Sequence, residues 1–154
     1  MREREDSLFS RGLNSEGYRD GTASAALRRV AEEEWRERMD RVRRGEVYYV
    51  HRKPCRPGSG EEEQTGRPAV VLSSDALSRS SGSVLVAYCT AEGGREEPTH
   101  VRIRTGKGRS TVECEHLGTV SKSRLGDRIG SCTEEELGRI ERAVSAALGL
   151  LPRS

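Results

Sequence analysis

Two short apolar runs near the middle of the chain constrain its fold most strongly. Residues 66–74 and 83–90 are rich in Val, Leu and Ala, and each is flanked by Gly or Ser, which predicts two β-strands joined by a polar connection. If the strands are antiparallel neighbours, the start of the first lies beside the end of the second. Arg67 and Thr90 would then meet at one edge of the sheet, where a guanidinium beside a hydroxyl is suited to holding a phosphate.

Other segments have the β-branched or alternating pattern of short strands, namely residues 45–51, 99–104, 110–117 and 127–132. The segment between the two central strands, residues 75–82, predicts a short helical turn capped by Ser74 or Asp75. Residues 52–65 carry Pro, Gly and an acidic run, which predicts a long loop. Together these elements predict a mainly β fold with added helices, in which five or more strands form a small, strongly bent sheet or barrel.

The C-terminal segment has the clearest helical pattern. Thr133 and Glu136 fit a capping box at its start, and Gly149 predicts its end. The side chains expected to face the core are Leu137, Ile140, Val144 and Leu148. A second helix is predicted within residues 23–44, where apolar side chains recur at Leu27, Ala31, Trp35, Met39 and Val42. This helix is expected to pack one stripe on the sheet or on a partner subunit, with docking of a regulatory partner as the alternative.

These patterns divide the chain into four parts. Residues 1–22 are polar and contain three glycines, which predicts a flexible N-terminal segment. The helical extension follows at 23–44 and the folded domain at 45–150, and residues 151–154 form a short tail. At 154 residues, one domain with an extension is the expected organisation.

Charge and cysteine usage limit the functional classes. The chain has 27 basic and 25 acidic residues, a net charge of +2, so bulk charge does not indicate nucleic-acid binding, although a local positive groove is compatible with it. The four cysteines are widely spaced, which fits no compact zinc pattern and predicts free thiols in a reducing cytoplasm. We find neither a signal peptide nor a segment apolar enough to span a membrane.

An ordered set of motifs resembles the MazF/PemK toxins of type II toxin–antitoxin systems. The matching stretches are residues 44–48, 66–72, 98–101, 120–125 and 128–130, together with Thr90 and the terminal helix. They follow the family's own order over residues 45–150. This resemblance implies an SH3-like barrel of the MazF/PemK/CcdB type with a C-terminal helix, preceded here by the N-terminal helical extension.

The resemblance also implies a chemistry and a set of partners. Members of this family are endoribonucleases that cut single-stranded RNA at short sequence motifs without a metal or cofactor, leaving 2′,3′-cyclic phosphate and 5′-hydroxyl ends. They are usually homodimers, and a cognate antitoxin inhibits them. Arg67 and Thr90 correspond to the family's catalytic arginine and threonine. Further candidate RNA contacts are Ser73, Arg79, His116, Thr119 and Lys122.

The chain departs from the family pattern in one segment. Where relatives usually have an acid followed by Gln-Ile-Arg-Thr, residues 115–119 read Glu-His-Leu-Gly-Thr. Gly118 therefore replaces an arginine expected to contact RNA or to support the structure. We interpret His116 as structural, with base reading or an acid–base role as alternatives, and His51 and His100 as ordinary strand or surface residues.

Two other functions remain open at the level of sequence. The first is a catalytically impaired barrel that binds RNA or an antitoxin, which the loss at Gly118 favours. The second is a poison of DNA gyrase on the same fold, as in CcdB, because fold alone does not determine function. The pairing of Arg67 with Thr90 favours the ribonuclease, since a gyrase poison requires a protein-binding surface rather than a phosphate site.

Overall fold

A computed structural model describes residues 21–54, 66–91 and 95–150 of the chain. Its helices and strands, in chain order, are α1 (Gly21–Asp40), β1 (Glu46–Val50), β2 (Arg67–Val71), α2 (Asp75–Ser80), β3 (Ser83–Ala91), β4 (His100–Thr105), β5 (Gly108–Ser121), a 3-10 helix (Lys122–Arg124), β6 (Leu125–Ser131) and α3 (Glu134–Ala147). The expectations for residues 1–20, for most of the 52–65 loop and for the C-terminal tail lie outside the described residues. No helix in the described ranges is long and apolar enough to cross a membrane.

The six strands form one sheet in the order β4-β5-β3-β2-β1-β6, and every pairing is antiparallel. The sheet curls until its two outer strands approach each other, and the Gly106 N–H donates to the Ile129 carbonyl at 2.7 Å. At this closure a Cβ atom on Gly130 would lie 3.2 Å from the Thr105 Cα, so a side chain there would push the strands apart. The mainly β fold predicted from sequence is confirmed.

The inner face of this curled sheet carries the larger apolar cluster. All six strands contribute to it, and the contributing side chains from the sheet are Val47, Val70, Ala87, Cys89, Val101, Ile103, Val112, Cys114 and Ile129. Ile140 and Ala143 of α3 pack on the same cluster. A second cluster on the other face of the sheet includes Ala69, Val71 and Val86. Alternate residues of β2 and β3 thus serve opposite faces, as strand geometry requires.

The predicted start and end of the C-terminal helix were confirmed, but some side chains of the two long helices that were predicted to be buried are exposed. The capping box of Thr133 and Glu136 is formed, and Gly149 follows α3 with φ +71°. Leu148 is exposed, so its prediction as a core residue was wrong, because the helix has left the sheet by its last turn. In α1, Met39 is buried whereas Leu27 is exposed.

Strand β5 differs most from its predicted length and facing. The sequence predicted a strand over 110–117 followed by a connection, but β5 runs unbroken from Gly108 to Ser121. Its first part pairs with β4 and with the end of β3, and its second part pairs with the start of β3. Cys89 lies opposite Val112, yet Ala87 lies opposite Leu117. Residues 113–116 of β5 therefore bulge out against the single intervening residue of β3.

Candidate functional site

The register between β2 and β3 brings the two predicted catalytic residues to one place. Ala69 lies opposite Tyr88 and Val71 opposite Val86, and the same register continued by two residues sets Arg67 opposite Thr90. Directly opposed residues of an antiparallel pair have their side chains on the same face. The sequence expectation that Arg67 and Thr90 lie together at the end of these strands agrees with this register.

The guanidinium of Arg67 is supported by two side chains. Its Cζ lies 4.9 Å from the centroid of the Tyr88 ring, which is the distance of a cation–π contact. Its Nη2 donates to Glu113 Oε1 at 3.2 Å. The side chain remains 48% exposed, and no other hydrogen-bond partner of Arg67 is seen among the described residues. Since a guanidinium has five N–H donors, it is held in place while keeping donors for an anion.

Glu113 lies beside Arg67 because of the register between β3 and β5. Cys89 lies opposite Val112, and this register continued by one residue sets Glu113 opposite Tyr88, over which Arg67 stacks. Val112 and Cys114 are buried in the inner cluster, so the side chain between them points to the opposite face. The other Glu113 oxygen, Oε2, lies 3.1 Å from His116 Nδ1. Only 14% of the Glu113 side chain is exposed, against 54% for His116. One shielded carboxylate therefore joins an exposed arginine to an exposed histidine.

The row that contains Arg67 and Thr90 continues across the sheet. Thr90 lies opposite Thr111 of β5, and Thr111 lies opposite Arg102 of β4. Arg102 is half exposed and pairs with Glu96, itself largely exposed, at 3.1 Å. Two arginines thus stand at the two ends of a row whose middle is formed by Thr90 and the buried Thr111. The accessible members of the row, Arg67, Thr90 and Arg102, are suited to phosphates, since arginine and hydroxyl groups both donate to phosphate oxygens.

Beside this row, His100 of β4 forms a second histidine–carboxylate pair. Its Nε2 lies 2.7 Å from Glu115 Oε1, and its Nδ1 lies 2.9 Å from the Arg95 carbonyl. The hydrogen bond to that carbonyl and the neighbouring Glu115 carboxylate raise the pKa of His100. Although burial acts in the opposite direction, hydrogen bonds from Thr99 and His100 lower the pKa of Glu115. The interpretation of His100 as an ordinary strand residue therefore omits a charged pair next to the site.

His100, Glu113 and Glu115 also place one ligand atom each within 4.8 Å of one another. Imidazole and carboxylate groups are ligands for divalent transition metals. However, Glu113 is already paired with Arg67, and Glu115 with His100. The cluster is therefore neutralised by the protein's own cations, and its geometry gives no reason to require a metal.

The glycine that replaces the family's arginine has a structural consequence. A Cβ atom on Gly118 would lie 3.2 Å from Cε2 of Tyr88 and 3.6 Å from its hydroxyl oxygen. The Tyr88 ring therefore occupies the space that a side chain at this position would need. Because Tyr88 in turn supports Arg67, the departure at Gly118 and the placement of the predicted catalytic arginine are physically linked.

The other predicted RNA contacts do not converge on this site. Ser73 is buried, and its hydroxyl accepts a 2.8 Å hydrogen bond from the Leu85 N–H. Lys122 is buried within the 3-10 helix. Direct RNA contact by these two residues is not supported, because both lie out of the solvent. Thr119 is exposed opposite Leu85 and Arg79 is exposed on α2, so contacts by these two residues remain predictions.

The buried thiols and His51 do not contribute a nucleophile. Burial raises the pKa of Cys89 to about 12 and that of Cys114 to about 11, so neither forms a thiolate near neutral pH. Both are free and pack in the inner cluster, as expected for small core residues. His51 is buried beside the 3-10 helix and exchanges hydrogen bonds with Arg124 through its backbone.

Three residues at this site were not predicted from the sequence, namely Tyr88, Glu113 and Arg102. Tyr88 precedes Thr90 by two positions, so strand periodicity alone indicates that the two share a face. Arg102 alternates with buried neighbours in the same way. Glu113 alternates with the buried Val112 and Cys114, but its approach to Arg67 depends on the register between β3 and β5, which the local sequence does not specify.

Comparisons with known proteins agree with this geometry. Residues 43–148 match the family of PemK-like, MazF-like toxins of type II toxin–antitoxin systems. Endoribonuclease EndoA of Bacillus subtilis is 33% identical in an alignment of 115 residues that covers 71% of this chain and 97% of that protein. Endoribonuclease MazF of Staphylococcus saprophyticus is 29% identical in an alignment of 114 residues that covers 71% of this chain and 92% of that protein.

Solved structures show the same fold. An endoribonuclease from a mycobacterial species, solved in complex with its cognate antitoxin, superposes with a TM-score of 0.61 and 25% identity. The match covers 73% of this chain and 99% of the mycobacterial chain. A MazF of Deinococcus radiodurans in complex with MazE superposes with a TM-score of 0.57 over 71% of this chain. With the sheet order, the Arg67–Thr90 register and these matches in agreement, the chain belongs to the PemK-like, MazF-like family of type II toxins.

Proposed function

We propose that this chain is the toxin of a type II toxin–antitoxin system and that it cleaves single-stranded RNA at short sequence motifs. The single observation that carries the proposal is the Arg67 guanidinium, which is fixed by Tyr88 and Glu113 yet open to solvent, opposite Thr90. The matches with two relatives named as endoribonucleases cover 97% and 92% of those proteins.

The reaction follows from the chemistry of RNA itself. The 2′-oxygen attacks the adjacent phosphorus, the bond from phosphorus to the 5′-oxygen breaks, and the products carry a 2′,3′-cyclic phosphate and a 5′-hydroxyl. Because the nucleophile belongs to the substrate, the protein must align it and stabilise charge on the phosphoryl oxygens. Arg67 supplies a permanent cation with forked donors, and Thr90 donates a hydrogen bond to a second oxygen.

This chemistry needs no metal-activated water, so we propose a metal-independent enzyme without a cofactor. Inhibition of translation and growth would follow from cleavage of mRNA in the cytoplasm. The mycobacterial relative was solved with its cognate antitoxin, and we propose that a cognate antitoxin likewise binds this chain. We further propose a homodimer, which light scattering at micromolar concentration tests directly.

The test is cleavage of a long single-stranded RNA by purified full-length protein in excess EDTA, with both new ends mapped. We expect cuts at one short motif that leave cyclic phosphate, and their loss in Arg67→Ala. Arg139→Ala, an exposed change on α3, is the matched control and should cut normally. A folded dimer that binds RNA without cutting it would instead support the impaired binding barrel, with Gly118 as the first position to restore.

A further inference from the structure

We propose that His116 is the general base of the RNA cleavage reaction and that Glu113 is the residue that positions it. This inference rests on the proposed function, because it names the group that removes the proton from the attacking 2′-hydroxyl. The chain departs from the family pattern at this position, because relatives usually carry glutamine where His116 stands.

The two proposed catalytic residues leave the proton without an acceptor. Arg67 cannot be deprotonated in a protein, and the neutral Thr90 hydroxyl is a poor base. An imidazole is the side chain best suited to accept a proton near neutral pH. The two imidazoles near Arg67 in the described ranges are those of His116 and His100, and the Nε2 atom of His100 is already paired with Glu115 at 2.7 Å.

The contact with Glu113 favours one tautomer of His116. A carboxylate oxygen lies 3.1 Å from Nδ1 and favours a proton on that nitrogen, which leaves the lone pair of the neutral ring on Nε2. A carboxylate that orients a histidine in this way also stabilises the imidazolium that forms when the ring accepts a proton. Nε2 of His116 has no hydrogen-bond partner among the described residues, and the ring is 54% exposed.

Glu113 also places the base beside the phosphate site. Its Oε1 accepts from Arg67 at 3.2 Å and its Oε2 contacts His116 at 3.1 Å. The two groups that must act on one phosphodiester are therefore both within hydrogen-bonding distance of a single carboxylate. Since that carboxylate is only 14% exposed, it is shielded while Arg67 and His116 face the solvent from which RNA would approach.

The proton balance of the step is complete without any further cofactor. His116 Nε2 takes the proton of the 2′-hydroxyl as the 2′-oxygen bonds to phosphorus. The bond from phosphorus to the 5′-oxygen breaks, and that oxygen takes a proton from water. The imidazolium then returns its proton to solvent. Arg67 remains charged throughout and interacts with the phosphoryl oxygens.

The charged groups around His116 come from three strands. Glu113 and Glu115 lie on its own strand, Arg67 contacts Glu113 from β2, and His100 lies on β4 beside both glutamates. If His116 is the base, the pH profile of kcat should differ between the unmodified protein and His116→Gln, in which Glu115 and His100 are unchanged.

The experiment compares His116→Ala, His116→Gln and Glu113→Gln in the full-length protein, with melting curves to confirm folding. We expect kcat to fall roughly a hundredfold in both His116 variants, as removal of a general base typically does, while KM changes little. Added imidazole should restore part of the activity of His116→Ala but none of that of Arg67→Ala. Arg139→Ala provides the unaffected control.

A double-mutant cycle tests whether Glu113 acts through His116. Glu113→Gln alone should lower kcat roughly tenfold, whereas in the His116→Gln background it should have little further effect. Full activity of His116→Gln in a protein that cuts RNA would overturn the inference while the proposed ribonuclease function remains. Absence of cleavage by the unmodified protein would overturn both.

Discussion

Glu46 on β1 and Glu113 on β5 both pair with an arginine, but in different surroundings. Glu46 is 7% exposed, and its two oxygens accept hydrogen bonds from the Tyr48 hydroxyl at 3.0 Å, the Arg43 N–H at 2.6 Å and Arg128 Nη1 at 2.7 Å. Burial and the adjacent Glu46 carboxylate raise the pKa of Tyr48 well above its usual value. This network connects the segment after α1 with β1 and β6, which is a structural role.

Glu113 makes fewer contacts than Glu46, and its partners are exposed side chains. Its partners Arg67 and His116 are each about half exposed, and they offer donors and a ring nitrogen toward the solvent. The comparison teaches that an arginine–glutamate pair alone does not identify a site. Glu46 also holds the buried Tyr48 hydroxyl and a backbone N–H, so it stabilises the fold although Arg128 is 59% exposed. Glu113 has only exposed side chains as partners, and it prepares a surface for a ligand.

A cavity of about 710 Å³ lies beside the Glu46 network, lined by residues that include Arg38, Tyr48, Lys107 and Arg128. It does not include Arg67 or Thr90. This cavity belongs to the structural network, whereas the open row that contains Arg67 is recognised by its chemistry.

The largest expected effect is a difference in RNA cleavage between variants of Arg67 and Arg128. Arg67→Lys keeps the charge but loses the fork of donors and the stacking on Tyr88, so we expect RNA cleavage to fall roughly a hundredfold. Arg128→Lys, the matched change in the Glu46 network, should leave kcat unchanged. Initial rates on a short RNA substrate measure both. Equal losses would mean that the two networks are not functionally distinct.

The next effect concerns stability. Glu46→Gln replaces a buried carboxylate with an amide that has only one acceptor oxygen, and we expect the free energy of unfolding to fall by about 2 kcal/mol. Glu113→Gln weakens contacts with Arg67 and His116, which are each about half exposed, and should cost less than about 1 kcal/mol. Urea titrations of both variants, fitted with one m-value, compare their free energies of unfolding. A larger loss for Glu113→Gln would assign that carboxylate a structural role.

Restoring the family's arginine should damage the site rather than improve it. In Gly118→Arg the new Cβ would lie 3.2 Å from Tyr88 Cε2, so the ring must shift and its contact with Arg67 is weakened. We expect cleavage to fall roughly tenfold, with a smaller loss in Gly118→Ala. Increased cleavage by Gly118→Arg would show instead that the lost arginine had contacted RNA.

The smallest effect is the pH dependence of the His100–Glu115 pair. The raised pKa of His100 gives stability that is present below its ordinary value of 6.5 and is lost as pH rises further. The lowered pKa of Glu115 gives stability that is present above 4.5 and is lost as pH falls. His100→Gln should therefore cost most between these values, by less than about 1 kcal/mol because the pair is partly exposed.

Melting temperatures of the unmodified protein and of His100→Gln from pH 4 to 8 measure this difference in stability. A constant difference over the whole range would mean that His100 contributes packing rather than charge.

The sequence by itself determined the paired strands, the Arg67–Thr90 register and the capped terminal helix. These depend on local signals: apolar runs of strand length, a capping box read from Thr133 and Glu136, and strand alternation between neighbours. For the same reason Tyr88 was accessible to sequence reasoning although it was missed.

Only the tertiary structure decided how Glu113 and His116 come together. Regular alternation along β5 would set His116 on the same side as Val112 and Cys114, inside the sheet. The bulge sets four residues of β5 against Tyr88 alone, and this extra length turns His116 toward the face that carries Glu113 and Arg67. Because the bulge arises from the two different registers that β5 adopts with β3, no local pattern in the sequence could predict it.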